Sequence, residues 1–180
     1  INDTYASTFD QGGTRVRYIH QRINHLIFTQ PDRVMANIER VLAHLHGKLQ
    51  AAGAPDRHRR ALTLIPTRDG RGCHRDAEGN TWRTYVFIEK AATYDVIESP
   101  QMAYAAARAF GEFQGQLADL PGERLQETIP GFHDTPRRFQ ALQAAIQADT
   151  ANRAQQARAE IEFALARQPM TDRLIRAFET

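Results

Sequence analysis

Among the side chains of this sequence that could act as nucleophiles or metal ligands are one cysteine, Cys73, and seven histidines. A single cysteine excludes an internal disulfide framework and a multi-cysteine zinc site. The histidines form no H-E-x-x-H pair, and Cys73 is followed by His74, Arg75 and Asp76 where a sulfatase nucleophile needs a C-x-P-x-R context. These residues therefore argue against metal-centred hydrolysis and against sulfatase chemistry.

The composition is typical of a soluble globular protein. The chain has 180 residues, of which 42% are hydrophobic and 24% charged, enough for one ordinary domain or two small lobes. The net charge is only +2 and the arginines are spread along the chain, so we expect no nucleic-acid partner. No apolar run approaches the roughly 20 residues of a membrane span and no signal-peptide pattern is visible. We therefore expect a cytoplasmic protein with no membrane partner.

The first half of the chain predicts a small antiparallel sheet with one helix. Residues 4–9 and 15–23 flank Gly12 and Gly13 and predict a hairpin. Residues 34–45 carry an apolar stripe at helical spacing. Residues 61–65 and 82–88 predict a second hairpin, joined by a polar, glycine-rich loop.

The second half predicts helices. Ser99 and Pro100 form a capping and first-turn signal, and further helices are predicted over about 135–149, 152–167 and 170–178. Strands followed by helices indicate an α+β fold with two lobes. We predict one lobe over 1–88, a link over 89–98 and a helical lobe over 99–180, with a ligand cleft between the lobes.

Five segments of the sequence, taken in order, carry a resemblance to a known superfamily. They are "INDTY" at 1–5, "YIHQRIN" at 18–24, "VMANIERVLAHL" at 34–45, "WRTYVFIEKAATYD" at 82–95 and "ETIPGFHDTPRRF" at 127–139. They look like the aminoglycoside-phosphotransferase and choline-kinase superfamily, and most like its N-acetylhexosamine 1-kinase group. The resemblance implies a protein-kinase-like amino-terminal lobe, followed by the first helices of a helical lobe. It also implies transfer of the γ-phosphoryl group of ATP to the anomeric hydroxyl of an N-acetylhexosamine. Some relatives carry the label mucin-desulfating sulfatase, which the residues here do not support.

The resemblance implies roles for residues near the nucleotide phosphates. Asn2 and Thr4 match the strand that leaves a glycine-rich loop and would approach the phosphates. Arg22 would bind the α- and β-phosphates, since a guanidinium offers a bidentate fork. Glu39 would hold Arg22 by an ion pair from the helix, and Asn37 is its rival for that role.

The resemblance also gives a role to the link. The stretch "YVFIEKAATYD" at 85–95 matches the hinge between lobes, in which backbone groups of Glu89, Lys90 and Ala91 would bind the adenine edge. The alternative is an ordinary loop from strand to helix.

The catalytic loop of the superfamily has no match in this chain. The superfamily places its catalytic aspartate in an H-x-D-x-x-x-x-N loop. His74-Arg75-Asp76 precedes the predicted hinge, with Asn80 too close, and we predict a hairpin loop there. His133-Asp134 precedes a helix. We therefore expect no catalytic or metal-binding residue here, with the ligands of Mg²⁺ lying beyond residue 180 and this chain inactive alone.

Two alternatives remain open from the sequence. The first is a non-catalytic pseudokinase or interaction domain, with a basic helical face. The second is a kinase for another small acceptor, such as an amino alcohol, homoserine or an aminoglycoside. The acceptor and the oligomeric state are undetermined by the sequence. The basic helical face would comprise Arg137, Arg138, Arg153, Arg158 and Arg167.

Overall fold

A computed structural model describes the backbone of residues 1–179 and the side chains of residues 1–177. Within these residues the fold is α+β, as predicted, with a four-stranded antiparallel sheet and six α-helices. None of the described helices is both long enough and apolar enough to cross a membrane. The elements are β1 Asp3–Gln11, β2 Thr14–Arg22, α1 Pro31–Ala51, α2 Arg57–Arg60, β3 His74–Arg75, β4 Thr81–Val86, α3 Pro100–Leu117, α4 Thr135–Ala148, α5 Arg158–Leu165, a 3-10 helix Gln168–Met170, and α6 Arg173–Glu179.

The sheet has the strand order β1-β2-β4-β3, with all neighbours antiparallel. The predicted first hairpin is confirmed, with its tight turn between Gln11 and Thr14. Gly12 and Gly13 have φ values of +63° and +85°, in the left-handed region that glycine enters at little cost.

The two faces of the sheet have different neighbours. Pairing and alternation put Gln21, Arg83 and Tyr85 on one face. Helix α1 lies on this side, because Arg75, which pairs with Thr81 on β4, bonds from Nη2 to Asp32 of α1 at 3.1 Å. We call it the α1 face. We call the other the open face; it carries Tyr18, His20, Arg22, Trp82 and Thr84.

The second predicted hairpin forms with a shorter first strand. Ile65 N donates to Thr84 O at 2.8 Å and Val86 N donates to Thr63 O at 3.0 Å, around an isolated bridge between Leu64 and Tyr85. Pro66 follows directly and has no N–H to continue the ladder. The glycine-rich connection then adds the two-residue strand β3 to the far edge of β4.

Helix α3 packs on α1. The carbonyl of Gln116 lies 3.0 Å from His44 Nε2 and accepts from Lys48 Nζ at 3.0 Å. The chain divides into two compact units, Ile1–Ile129 and the residues from Pro130 onward. This division falls after α3; the lobes predicted on either side of the link 89–98 stay a prediction. The α1–α3 core consists of buried Leu45, Leu49 and Ala61, with Val41, Leu42, Ala54 and Leu117 packed against it.

Most of the predicted helices are confirmed, and capping side chains define where two of them begin. Ser99 caps α3, with its side chain accepting from Met102 N at 3.3 Å. In the second unit, Asp134 caps α4. The predicted helix over 152–167 is shorter, with α5 confined to Arg158–Leu165 after a series of turns.

Candidate functional site

Arg22 lies on the open face and is neutralised there. Its Nε donates to Asp3 Oδ2 at 2.8 Å, and a second bond runs from Nη2 to the same oxygen. The two residues are direct partners across β1 and β2, and the bond to Asp3 raises the pKa of Arg22. The structure therefore pairs Arg22 with Asp3, while Glu39, its predicted partner, belongs to α1 on the opposite side of the sheet.

Glu39 is exposed and lies against the glycine-rich connection. A Cβ placed on Gly72 would lie 1.9 Å from Glu39 Oε1, so the loop approaches this carboxylate as closely as glycine permits. The rival candidate, Asn37, is bound to backbone: its Nδ2 donates to Gln126 O at 2.7 Å and its Oδ1 accepts from Gln126 N at 2.9 Å. Asn37 thus secures the segment that follows α3 onto α1.

A row of polar side chains crosses three strands on the α1 face. Arg83 donates from Nε at 3.0 Å and from Nη2 at 2.5 Å to Gln21 Oε1. Gln21 Nε2 in turn donates to Thr4 Oγ1 at 2.9 Å. Thr4 was predicted near phosphate, whereas Arg83 was missed by the sequence reasoning. The alternation of side chains along the strands could have identified Arg83. A residue of β4 that faces α1 has to pair with Gln21, because Arg22 points to the opposite face of the sheet.

Arg83 differs electrostatically from the other arginines of the sheet. It is half-buried, and no carboxylate of the described residues forms an ion pair with it. Burial lowers the pKa of Arg83, whereas carboxylate partners raise the pKa of Arg17, Arg22 and Arg108. The α1 face therefore holds a guanidinium whose charge has a neutral amide as its partner.

Asn2 fixes the start of β1 to the turn after β2. Its Oδ1 accepts from Asn24 N at 2.9 Å, and Asn24 Nδ2 donates to Ile1 O at 3.0 Å. The segments "INDTY" and "YIHQRIN" are therefore joined through their asparagines. The side-chain oxygen of Asn2 is engaged in this contact, while Thr4, two residues on, belongs to the polar row.

The predicted hinge residues follow β4 and are exposed. Arg17 lies over the ring of Phe87, 3.8 Å from its centroid, and its Nε donates to Glu89 Oε1 at 2.7 Å. The hydrogen bond from Arg17 lowers the pKa of Glu89. Arg59 of α2 donates to the carbonyl of Glu89. Lys90 has a φ of +56°, which turns the chain away from the line of β4, and Ala91 follows it at the surface.

Asp76 closes the loop before β4. Its carboxylate accepts from Asn80 N at 2.7 Å, from Asn80 Nδ2 at 3.0 Å and from Trp82 Nε1 at 2.7 Å. The bond from Trp82 is the main cause that lowers the pKa of Asp76. The prediction of a hairpin loop at 74–80 is confirmed, and the H-R-D sequence there serves to fold a turn.

The open face carries an apolar cleft of about 340 Å³ lined by Phe9, Tyr18 and Trp82. His20 lies in it with both ring nitrogens engaged, 2.6 Å from Ser7 Oγ and 2.9 Å from Thr84 Oγ1. Among the described residues, no group of three His, Cys, Asp or Glu side chains could hold a metal.

The contacts of Cys73, and those of His44 and His46 on α1, do not form a reactive centre. Burial raises the pKa of the Cys73 thiol at the edge of the open-face cleft, which disfavours the nucleophilic thiolate. His44 and His46 are two residues apart on α1 and have different partners, Gln116 O at 3.0 Å and Leu62 O at 2.9 Å.

The basic helical face is largely occupied within the second unit. Arg138 Nε donates to Phe132 O at 2.7 Å, and Arg167 Nη1 donates to Phe163 O at 2.8 Å. Arg158 pairs with a glutamate one turn further along α5, at 2.8 Å. These arginines support local structure, and nothing in their contacts favours an acidic partner. No protein-family model matches this chain.

Proposed function

We propose that this chain is the nucleotide-binding part of an ATP-dependent small-molecule phosphotransferase. The observation that carries the proposal is the arrangement along β4. Arg83, a half-buried guanidinium without a carboxylate partner in the described part of the chain, lies on the α1 face, and an exposed turn at Lys90 follows the end of the same strand. A nucleotide has a matching polarity, with a polyanion at one end and a flat base with hydrogen-bonding edges at the other.

The chemistry of phosphoryl transfer fits such a lobe. The transferred group carries spread negative charge, so catalysis depends on positioning and charge neutralisation more than on covalent chemistry. A guanidinium can bind two phosphate oxygens at once, and Thr4, at the end of the same row, accepts from Gln21 Nε2. The backbone near Glu89, Lys90 and Ala91 is proposed to bind the adenine edge.

The acceptor is proposed from the resemblance. Its five segments look most like the N-acetylhexosamine 1-kinase group, so we propose the anomeric hydroxyl of an N-acetylhexosamine as the acceptor. ATP would be bound with Mg²⁺. The protein-kinase-like lobe is proposed on the same ground, and the order of hairpin, α1, second hairpin, exposed link and helices supports it.

Nucleotide binding is the first test. ATP and ADP are titrated into the 180-residue chain by calorimetry, with and without Mg²⁺, and thermal unfolding is followed at increasing nucleotide concentration. A bound nucleotide at about 100 times its Kd should add about 2.7 kcal/mol to the free energy of unfolding. Absence of both heat and thermal shift at millimolar ATP would remove the proposal.

Transfer to an acceptor is the second test. The natural full-length protein is incubated with γ-labelled ATP and either N-acetylglucosamine or N-acetylgalactosamine, and we expect a sugar 1-phosphate. Homoserine, choline and an aminoglycoside serve as competing acceptors. Labelling of one of these instead would keep the phosphotransferase and change its substrate. ATP binding without any transfer would favour a pseudokinase.

A further inference from the structure

We infer that Arg83, and not Arg22, is the side chain that holds the nucleotide phosphates, and that Gln21 positions it. The inference rests on the proposed function and assigns its phosphate-binding cation to β4. It reverses the role that sequence resemblance gives to Arg22.

The donors of Arg83 are only partly used. A guanidinium has five N–H groups, and in the described part of the chain Arg83 bonds through two of its nitrogens, Nε and Nη2, to a single oxygen of Gln21. The edge formed by Nη1 and Nη2 therefore keeps two roughly parallel donors for a ligand. Phosphate oxygens match this fork geometry.

The charge of Arg83 also favours the binding of an anion. Taking a cation out of water is costly unless an opposite charge and hydrogen bonds compensate for it. Gln21 supplies hydrogen bonds but no charge. A triphosphate supplies both, so its binding would relieve the cost that the folded chain carries at this position.

Arg22 bonds through the same two nitrogens, Nε and Nη2, but its charge already has a carboxylate partner. Asp3 neutralises it through two hydrogen bonds to one carboxylate oxygen, and it lies on the face of the sheet opposite α1. A phosphate at Arg22 would have to compete with Asp3 or accept repulsion from it. The contrast between Arg83 and Arg22 follows from the alternation of side chains along a strand. Gln21, which pairs with Arg83, is adjacent to Arg22 in sequence, and the two point to opposite faces.

Gln21 is held from both ends, which makes it a positioning residue. A guanidinium only donates, so the amide oxygen of Gln21 has to face Arg83. Its Nε2 then donates to Thr4 Oγ1 at 2.9 Å. The orientation of the Arg83 fork is thus set by a chain of bonds that begins on β1, within the segment "INDTY".

The test compares arginine variants by titration with three probes: ATP, inorganic triphosphate and adenosine. For Arg83→Gln we expect ATP and triphosphate to bind about 10- to 100-fold more weakly, with adenosine unchanged. Arg83→Lys keeps the charge without the fork and should lie between that variant and wild type. Arg22→Gln should bind ATP within twofold of wild type. Arg33→Gln, an exposed arginine on α1, is the matched control.

Gln21→Glu supplies an independent test that does not depend on removing Arg83. A carboxylate at this position would pair with Arg83 and compete with phosphate. We expect weaker ATP and triphosphate binding together with an unchanged or higher melting temperature of the free chain. A purely structural role for Gln21 would move stability and affinity in the same direction.

The outcomes separate this inference from the proposed function. Failure of wild type to bind ATP removes the proposed function and the inference with it. ATP binding by wild type that is lost in Arg22→Gln and kept in Arg83→Gln overturns the inference alone. If Arg83→Gln does not fold, unchanged triphosphate affinity in both Gln21→Glu and Arg83→Lys overturns it equally.

Discussion

Replacing Thr81 by valine should make this chain more stable. Thr81 begins β4, is 4% exposed, and its Oγ1 is buried without a hydrogen-bond partner among the described residues. Valine keeps the branched shape and nearly the same volume, and it retains the stiff χ1 preference that suits a strand. The substitution therefore removes one buried polar atom while leaving the strand and its backbone bonds unchanged.

The magnitude follows from the cost of that hydroxyl. A buried donor or acceptor left unsatisfied costs about 1–3 kcal/mol, because the unfolded chain bonds it to water. The new methyl group adds up to about 0.8 kcal/mol from burial of apolar surface. Together, these contributions should raise the free energy of unfolding by about 1–4 kcal/mol. For a chain of this length, each kcal/mol corresponds to about 2–4 °C in Tm.

The assay is urea unfolding followed by tryptophan fluorescence. Trp82 is the only tryptophan of the chain and is adjacent to Thr81, so the signal reports the unit that contains the sheet. Thr8→Val, on an exposed position of β1, controls for the general preference of strands for valine and should stay within about 0.5 kcal/mol of wild type. A lower midpoint for Thr81→Val would refute the reasoning, as would an equal gain in Thr8→Val.

Two further predictions concern a helix cap and acid stability. Ser99→Ala removes the side-chain cap of α3 and should lower the free energy of unfolding by about 0.5–2 kcal/mol, measured by urea unfolding; Ser99→Asp should restore most of it. Glu89 has a pKa below its usual value, mainly because of the hydrogen bond from Arg17. The unfolded chain therefore binds this proton at higher pH than the folded chain, so the stabilisation exists above the unfolded pKa of about 4.5 and is lost as the pH falls through the folded pKa. Glu89→Gln should reduce the fall in unfolding midpoint between pH 6 and pH 3; an identical pH profile to wild type would count against the pair.

Local patterns were sufficient to predict most of the elements. The alternation around Gly12 and Gly13 predicts the first hairpin, because a period of two and two residues able to adopt positive φ define it within a few positions. The signal at Ser99 and Pro100 predicts the start of α3, because the cap satisfies the first free N–H groups of the helix. The H-R-D sequence at 74–76 was also predicted to lie in a hairpin loop, and the bonds of Asp76 to Asn80 and Trp82 give the physical basis.

Contacts between distant parts of the chain lie outside what local patterns give. Helix α3 packs on α1 through Gln116 and Leu117, and local sequence does not show this contact; the link over 89–98 stays a prediction. The helix predicted over 152–167 begins only at Arg158, after a series of turns that includes Asn152, whose φ is +51°. An apolar stripe predicts that a helix forms better than it predicts where the helix begins.

By itself, the sequence determined the α+β class, the first hairpin, the start of α3 and the set of polar residues from which a site could be built, because these depend on neighbours along the chain. Tertiary structure alone decided which face of the sheet α1 covers. That choice leaves the Arg22–Asp3 pair on the open face and puts Arg83 and Gln21 on the side of the helix. Two adjacent strand residues always point to opposite faces, but which of them meets the helix depends on how the apolar surface of the whole unit is buried.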